Sequence, residues 1–223
     1  PEPVGVVAEL LPWNGPLMTG SQRIATALAA GCSIVAKPPE EAVICLTELG
    51  RILIDCGLPP GVLNVILGPG ETVGEQLVAD PRIDLVSLTG SPETGRRVMA
   101  TAAENLTPVH LELGGKAPVI VFADANMEAA AQWAMMAAFV NMGEICVAGS
   151  RLLVERSAYD EVAGTVAAMA AGLPIGDALD PSTFIGPLIN IAHADRVRGF
   201  VNGALADGSA EVIGAGTVPE GLP

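Results

Sequence analysis

Two side chains in this sequence have the right chemistry to act on a carbonyl carbon, the thiol of Cys146 and the carboxylate of Glu112. Cys146 lies in a turn of small residues, 141–151, that follows a long apolar helical stretch. Such a turn leaves backbone N–H groups beside the sulfur, where they favour the thiolate and can stabilise a developing oxyanion. Glu112, 34 residues upstream, offers a carboxylate for the same covalent chemistry. The pair predicts nucleophilic catalysis.

The remaining cysteines and the histidines are not expected to do chemistry. Cys32, Cys45 and Cys56 lie in apolar strand-like or helix-like segments, so we expect buried, reduced thiols. No paired-cysteine spacing is present, and His110 and His193 are isolated from the cysteines, so we expect no metal site. His110 alternates with apolar neighbours, which favours an ordinary strand position over a catalytic base.

The first half of the chain alternates strand-like apolar runs with segments of helical period, which predicts an α/β fold with a parallel sheet covered by helices. The near-continuous apolarity of the strands is typical of burial on both faces. The predicted strands are Val4–Leu11, Ser33–Lys37, Val62–Leu67, Asp84–Leu88 and Val109–Leu113. The predicted helices are Met18–Ala30, Glu40–Cys56, Thr72–Ala79 and Pro92–Glu104.

The glycines at 114 and 115 interrupt this pattern, and a second set of elements begins after them. We therefore predict one domain over residues 1–114 and another over residues 115–223. The second set has strands Pro118–Phe122, Arg151–Glu155 and Glu211–Ile213, and helices Met127–Asn141, Tyr159–Ala171 and His193–Asp207.

Two turns after predicted strands could bind the phosphates of a dinucleotide. Gly68–Gly74, with Gly70 and Gly74 as candidate contacts, resembles a dinucleotide fingerprint but has one residue too many before its last glycine. A plain strand-to-helix turn that needs glycine explains it equally well. In the turn 89–93, Ser91 is the predicted N-cap, and the N–H groups after Gly90 suit a phosphate. A plain helix cap is the alternative there.

Lys37 ends a predicted buried strand and Glu40 begins the next predicted helix. Both side chains could therefore reach one sugar at the carboxyl end of the strand. A carboxylate accepts hydrogen bonds from a ribose 2′-hydroxyl and repels a 2′-phosphate. Glu40 therefore favours NAD over NADP, although the adjacent Lys37 could offset part of that repulsion.

The sequence resembles the middle of an NAD(P)-dependent aldehyde dehydrogenase. The resemblance rests on motifs that occur in the order of that family and extends from Pro1 to about Gly216. These motifs are Pro12–Asn14, Lys37–Glu40, Thr89–Ser91, Glu112–Lys116 and Gly143–Cys146. The implied fold is a Rossmann-like parallel-sheet cofactor domain followed by part of an α/β catalytic domain.

The resemblance implies a role for each matching residue. Cys146 is the expected nucleophile, which forms a hemithioacetal and then a thioester, and Asn14 donates to the oxyanion. Glu112 is the expected base for thioester hydrolysis, and we expect Leu111 and Leu113 to shield it partly from water. The implied cofactor contacts are Trp13, Lys37, Glu40, Gly70, Gly74, Gly90, Ser91 and Leu113.

The sequence departs from the commonest family pattern near the site. Glu144 stands where many relatives have glutamine, and we expect its carboxylate to point away from the thiol. Arg23 stands where many have a lysine that assists proton transfer, which arginine cannot do. Gly15 and Gln22 replace bulky aromatic residues, which predicts a wider or more polar substrate tunnel. Relatives also carry further segments before and after this region, so we expect a fragment of a longer homo-oligomeric protein.

Composition narrows the range of partners. The chain has 223 residues, half of them apolar, and a net charge of −14. Such an acidic chain has no basic patch for nucleic acid or an anionic membrane. No apolar run is long enough to span a bilayer, so we expect a cytoplasmic protein. The expected partner is a small aldehyde.

Two other functions remain open from the sequence. The first is a truncated cofactor-binding or scaffold protein without turnover. The second is a relative that transfers its acyl group to coenzyme A, which the presence of Glu112 disfavours because a general base directs the thioester to water.

Overall fold

The computed structural model describes residues 2–219, so Pro1 and residues 220–223, the outer ends of the two predicted domains, lie outside it. The chain divides into two compact units, Pro1–Gly114 and Gly115–Pro223. Each unit has its own sheet and its own apolar core.

Among the described residues, the first unit is built on five parallel strands, which lie side by side in the order third, second, first, fourth and fifth along the chain. This arrangement confirms the predicted parallel α/β fold, and each of the five predicted strands is present. The strands are β1 (Val6–Leu10), β2 (Ser33–Lys37), β3 (Leu63–Val65), β4 (Leu85–Gly90) and β5 (Val109–Leu113).

Helices cover both faces of this sheet. On one face Ala8 and Val86 pack with residues of the helices before and after β4, such as Val78 and Val98. The other face buries Ile34 against the two helices that flank β2. The helices are α1 (Pro16–Ala29), α2 (Val43–Asp55), α3 (Glu75–Ala79) and α4 (Pro92–Ala103). A 3-10 turn, Glu40–Ala42, precedes α2, and a π turn, Gly70–Gly74, precedes α3.

Over residues 115–219, the second unit has two parallel strands and three long helices. Its core packs Val121 and Val162 with Ala158. The elements are β6 (Pro118–Val121), α5 (Met127–Phe139), β7 (Arg151–Val154), α6 (Tyr159–Ala171) and α7 (Ile191–Ala206), with 3-10 turns at Val140–Gly143 and Arg156–Ala158.

The predicted strand Glu211–Ile213 is wrong, because residues 211–213 form no strand. Val212 and Ile213 have high strand propensity, but they are more than 60% exposed and pair with no neighbouring strand in the described chain. Strand propensity reflects packing on a pleated, half-buried surface, and an unpaired segment gains none of it.

Within residues 2–219, the helices are all too short or too polar to cross a lipid bilayer.

Candidate active site and cofactor edge

The order of the strands places the candidate cofactor residues at one edge of the first unit. In a doubly wound sheet of order 3-2-1-4-5, ligands bind outside the carboxyl ends of the strands, where the winding reverses between β1 and β4. Trp13 and Asn14 follow β1, Lys37 ends β2, and Gly90 ends β4. The candidate residues therefore come from neighbouring strands of a single edge.

Lys37, Glu40, Gly70 and Gly74 lie close together beyond β2. The backbone N–H of Gly70 donates to Oε1 of Glu40 at 3.1 Å. A Cβ on Gly74 would lie 3.6 Å from Cδ of Lys37. The ammonium group of Lys37 donates to the carbonyl of Pro38 at 3.1 Å. Burial lowers the pKa of Lys37, and the nearby carboxylates of Glu40 and Glu41 partly oppose that shift.

The glycine-rich segment after β3 is a turn that requires glycine, in agreement with the plainer of its two interpretations. Gly68 has φ of +146°, and a Cβ there would lie 2.4 Å from Cγ2 of Val73. Only glycine fits this combination of backbone angle and close contact. Gly70, by contrast, has open space around it, so its backbone is accessible to a ligand.

Ser91 caps α4 as predicted, with Pro92 as the first helical residue. Its hydroxyl oxygen accepts from the backbone N–H of Thr94 at 3.1 Å and lies 2.9 Å from Oγ1 of Thr94. Gly90 ends β4 directly before this cap. The helix N-terminus thus faces the same edge of the sheet as Lys37, with a partial positive charge that suits an anion.

The other predicted site residues at this edge differ in how they are packed. Trp13 and Asn14 are half-buried in the turn after β1. Leu113 at the end of β5 packs tightly on α4, since a Cβ on Gly95 would lie 2.9 Å from both of its methyl groups. Leu113 therefore has a packing role in the core whatever else it contacts.

Glu112 is not shielded as we expected. Its side chain is 51% exposed, whereas Leu111 and Leu113 face the opposite side of β5 and pack into the core. The expectation of partial shielding was wrong because successive side chains of a strand point to opposite faces. Nitrogen atoms of two side chains, Arg23 and His110, lie near the Glu112 carboxylate. NH2 of Arg23 lies 3.7 Å, and Nε2 of His110 3.9 Å, from its Oε1.

Sequence reasoning missed Glu9, the next-to-last residue of β1, which is 4% exposed. Burial raises its pKa, while a hydrogen bond with Ser87 and the charge of Arg23 act in the opposite direction. The signal was present in the sequence, because a carboxylate within an apolar strand has to be accommodated by buried polar or charged partners.

Cys146 is an exposed free thiol after a strained turn in the second unit. Three successive residues, Asn141, Met142 and Gly143, have positive φ values of 52°, 56° and 74°. Two of them are not glycine, and left-handed conformations of this kind cost of order 1–3 kcal/mol each and cluster at functional sites. A Cβ on Gly115 would lie 2.9 Å from the carbonyl oxygen of Cys146. Glycine at 115 therefore lets the backbone of residue 146 approach.

Glu144, two residues before the thiol, is held within the second unit. Its side chain is 6% exposed, and its Oε1 lies 3.3 Å from Nε2 of His193. The backbone N–H of Ile189 donates to the same oxygen at 3.5 Å. Burial raises the pKa of Glu144, against the smaller effects of that N–H and of His193.

The prediction that Cys45 and Cys56 are buried is wrong, because both are exposed. The prediction that Cys32 is buried is confirmed. Cys45 lies on α2 next to the buried Leu46, whose side chain takes the inward position. Cys56 forms the C-cap of the same helix. Helical spacing places neighbouring residues on different faces, which an apolar run does not reveal.

The sequence matches the model of the Aldehyde dehydrogenase family over residues 1–222. The chain belongs to the aldehyde dehydrogenase family. It is 41% identical over 221 residues to betaine aldehyde dehydrogenase 1 of Oryza sativa subsp. japonica, covering 99% of this chain and 44% of that protein. It is 40% identical over 217 residues to the phenylacetaldehyde dehydrogenase of Pseudomonas fluorescens, covering 97% of this chain and 43% of that protein.

Solved structures of aldehyde dehydrogenases share this fold. The betaine aldehyde dehydrogenase of Staphylococcus aureus in complex with NAD+ superposes with a TM-score of 0.95 at 38% identity, over 99% of this chain and 44% of that one. The chain thus spans less than half the length of the aldehyde dehydrogenases it matches.

Proposed function

We propose that this chain supports the NAD-dependent oxidation of a small aldehyde to a carboxylic acid through a hemithioacetal and a thioester on Cys146. The observation that supports it most is the family match over residues 1–222 in a chain that keeps an exposed thiol at Cys146 and an exposed carboxylate at Glu112. The roles of individual residues follow from their chemistry.

Cys146 is the nucleophile in this proposal. The thiolate adds to the aldehyde carbon, and the carbonyl oxygen becomes an oxyanion that the side-chain amide of Asn14 and the backbone N–H of Cys146 stabilise. A single donor of this kind is commonly worth about 3–4 kcal/mol in the transition state. The turn 141–143 supports the role, because its left-handed residues fix the backbone that leads into the thiol.

Glu112 is the general base for hydrolysis. It removes a proton from a water molecule that attacks the thioester carbon, and the acid product leaves as the Cys146 thiolate is regenerated. General-base assistance contributes typically about 10²–10⁴ in rate. The half-exposed carboxylate has access to water.

The residues at the carboxyl edge of the first sheet fit the cofactor. Glu40 offers an acceptor for ribose hydroxyls and Lys37 a donor, while Gly90 and Ser91 lie at a helix N-terminus that suits a pyrophosphate. Gly70, Gly74, Trp13 and Leu113 complete the proposed contacts. Bound NAD would accept the hydride that leaves the tetrahedral adduct. The carboxylate of Glu40 favours NAD over NADP, as it would repel a 2′-phosphate.

Replacement of the thiol tests the proposal. In the full protein encoded by the natural reading frame, Cys146→Ala should abolish aldehyde-dependent NADH formation and leave NAD affinity unchanged. Cys56→Ala is the matched control, because this thiol is also exposed, and it should keep wild-type turnover.

The same experiment separates the two alternatives. Retained turnover in Cys146→Ala would contradict the proposal. A wild-type protein that binds NAD and is alkylated by iodoacetamide at Cys146, but oxidises no aldehyde, would favour a cofactor-binding protein without turnover. Formation of acyl-coenzyme A in place of free acid would favour the acylating alternative.

A further inference from the structure

A row of polar side chains crosses three adjacent strands of the first unit. Glu9 of β1 pairs in register with Ser87 of β4, and Ser87 pairs with His110 of β5. Glu112 lies two residues after His110 in β5, so the two side chains are on the same face of the sheet. The sheet therefore carries a continuous polar line from the buried Glu9 to the exposed Glu112.

Helix α1 adds one cation to this line. NH1 of Arg23 lies 3.0 Å from Nδ1 of His110, and NH2 lies 3.7 Å from Oε1 of Glu112. The Arg23 side chain is only 23% exposed. A guanidinium has fixed fork geometry, so contacts from two of its nitrogens restrict its orientation more than one contact would.

The contact with Arg23 determines the tautomer of His110. Arginine has N–H donors and no acceptor, so Nδ1 of His110 must accept the hydrogen bond and carries no proton. The proton of the neutral imidazole is then on Nε2. Nε2 is the nitrogen that faces Glu112, 3.9 Å from Oε1.

Two donors therefore converge on a single oxygen of Glu112. Both the Arg23 and the His110 contacts are to Oε1, which leaves Oε2 as the oxygen available to remove a proton from water. Both distances exceed those of a formed hydrogen bond. Catalytic hydrogen bonds are often long in the free enzyme and shorten in the reacting complex.

Glu9 is a second acidic side chain on which the charge of Arg23 acts. Its side chain is buried, and within residues 2–219 its Oε2 has no hydrogen-bond partner. The charge of Arg23 acts on this carboxylate as a stabilising neighbour. Arg23 therefore lies close enough to Glu9 for its charge to lower the pKa of this carboxyl, although burial has the larger effect and raises that pKa.

We propose that Arg23 and His110 are positioning residues that bind Oε1 of Glu112, fix the orientation of its carboxylate and leave Oε2 to act as the base. This inference rests on the proposed function of Glu112 in thioester hydrolysis. It gives His110 a role that an ordinary strand residue does not have.

The test measures the decay of the thioester on Cys146 in the full protein, by rapid quench and intact-protein mass, alongside the single-turnover burst of NADH. In His110→Ala we expect thioester decay to slow by about 10- to 100-fold, the scale on which small misplacements of a catalytic group act. The burst should stay at the wild-type rate, because the burst precedes hydrolysis. An unchanged burst also shows that the variant is folded and binds NAD.

Conservative variants distinguish positioning from packing. His110→Gln keeps an amide acceptor for Arg23 and an amide donor for Glu112, so it should restore most of the decay rate. Arg23→Lys should slow decay because lysine cannot contact both partners with a fork. Arg51→Lys is its control, since Arg51 forms its ion pairs on α2 with Glu48 and Asp55.

The variant Glu112→Gln separates failure of this inference from failure of the proposed function. If Glu112→Gln leaves thioester decay intact, Glu112 is not the base. The proposed function of Glu112 and the positioning role of Arg23 and His110 are then both wrong. If Glu112→Gln blocks decay while His110→Ala and Arg23→Lys do not, the base is right and the positioning role is overturned.

A spectroscopic measurement tests the tautomer without any activity. Imidazole ¹⁵N shifts, assigned by the signals lost in His110→Gln, should show a protonated Nε2 and an unprotonated Nδ1 at neutral pH. A proton on Nδ1 would overturn the inference, because that nitrogen could not accept from Arg23.

Discussion

Oε1 of Glu40 accepts a hydrogen bond from the backbone N–H of Gly70 at 3.1 Å, which joins the turn after β2 to the loop after β3. Glu40 is exposed, so its second oxygen faces water and can bind a ligand. The carboxylate therefore has both a structural contact and a free acceptor at the edge where we place the cofactor ribose.

Glu40→Gln tests the cofactor preference directly. The amide oxygen keeps the bond from Gly70 N–H, but the negative charge that attracts a hydroxyl donor and repels a phosphate is lost. Hydrogen bonds to charged groups are worth about 1.5–3 kcal/mol, so we expect NAD affinity to fall by roughly 10- to 100-fold. NADP affinity should rise or stay constant.

Calorimetric titration of both dinucleotides measures this change in preference. Glu71→Gln is the control, because Glu71 is an exposed acidic residue next to Gly70, the residue that Glu40 contacts. A Glu40→Gln protein that keeps the wild-type ratio of NAD to NADP affinity would show that this carboxylate does not discriminate between a ribose 2′-hydroxyl and a 2′-phosphate.

Gly68→Ala should destabilise the fold, whereas Gly70→Ala should not. At Gly68 the φ of +146° and a Cβ 2.4 Å from Val73 Cγ2 combine backbone strain with a clash. Strain of this kind costs of order 1–3 kcal/mol, and the clash adds to it. At Gly70 nothing lies within 4 Å of the added Cβ. Urea unfolding of the two variants measures the difference, and equal free energies of unfolding would contradict it.

Local signals were enough to predict the parallel α/β fold and the N-cap of α4. Ser91 and Pro92 begin α4 as the sequence indicated, because capping depends on residues within one turn of each other. The five strands of the first unit were recognisable as apolar runs, since strands buried on both faces need apolar residues at almost every position.

The parts that were wrong depend on which face a side chain occupies or on contacts distant in sequence. Leu111 and Leu113 flank Glu112 but face away from it. Arg23 and His110 meet although they are 87 residues apart in the chain, which no local pattern encodes. The buried Glu9 was visible as an anomaly in β1, but its partners Ser87 and Arg23 come from other elements.

Glu9→Gln should stabilise the protein increasingly as the pH rises. Burial raises the pKa of Glu9 above its ordinary 4.5, so the folded state holds this proton more tightly than the unfolded chain does. Ionisation therefore costs stability, a cost that is absent below the unfolded pKa and grows as the pH rises through the folded one. The attraction of Arg23 opposes this effect but is the smaller cause.

Thermal or urea unfolding at pH 4, 6 and 8 tests the Glu9 prediction. The difference in unfolding free energy, Glu9→Gln minus wild type, should be smallest at pH 4 and largest at pH 8. A difference that falls with pH would mean that the favourable effects of Ser87 and Arg23 on the charged carboxylate outweigh its desolvation.

The most direct measurement of the whole account is the intact mass of Glu112→Gln after mixing with NAD and an aldehyde. The proposed chemistry predicts one burst of NADH and an acyl group that accumulates on Cys146, identified by peptide mapping and absent from Cys146→Ala. Continued NADH formation with no acyl group on Cys146 would contradict the thioester route and the role of Glu112 in its hydrolysis.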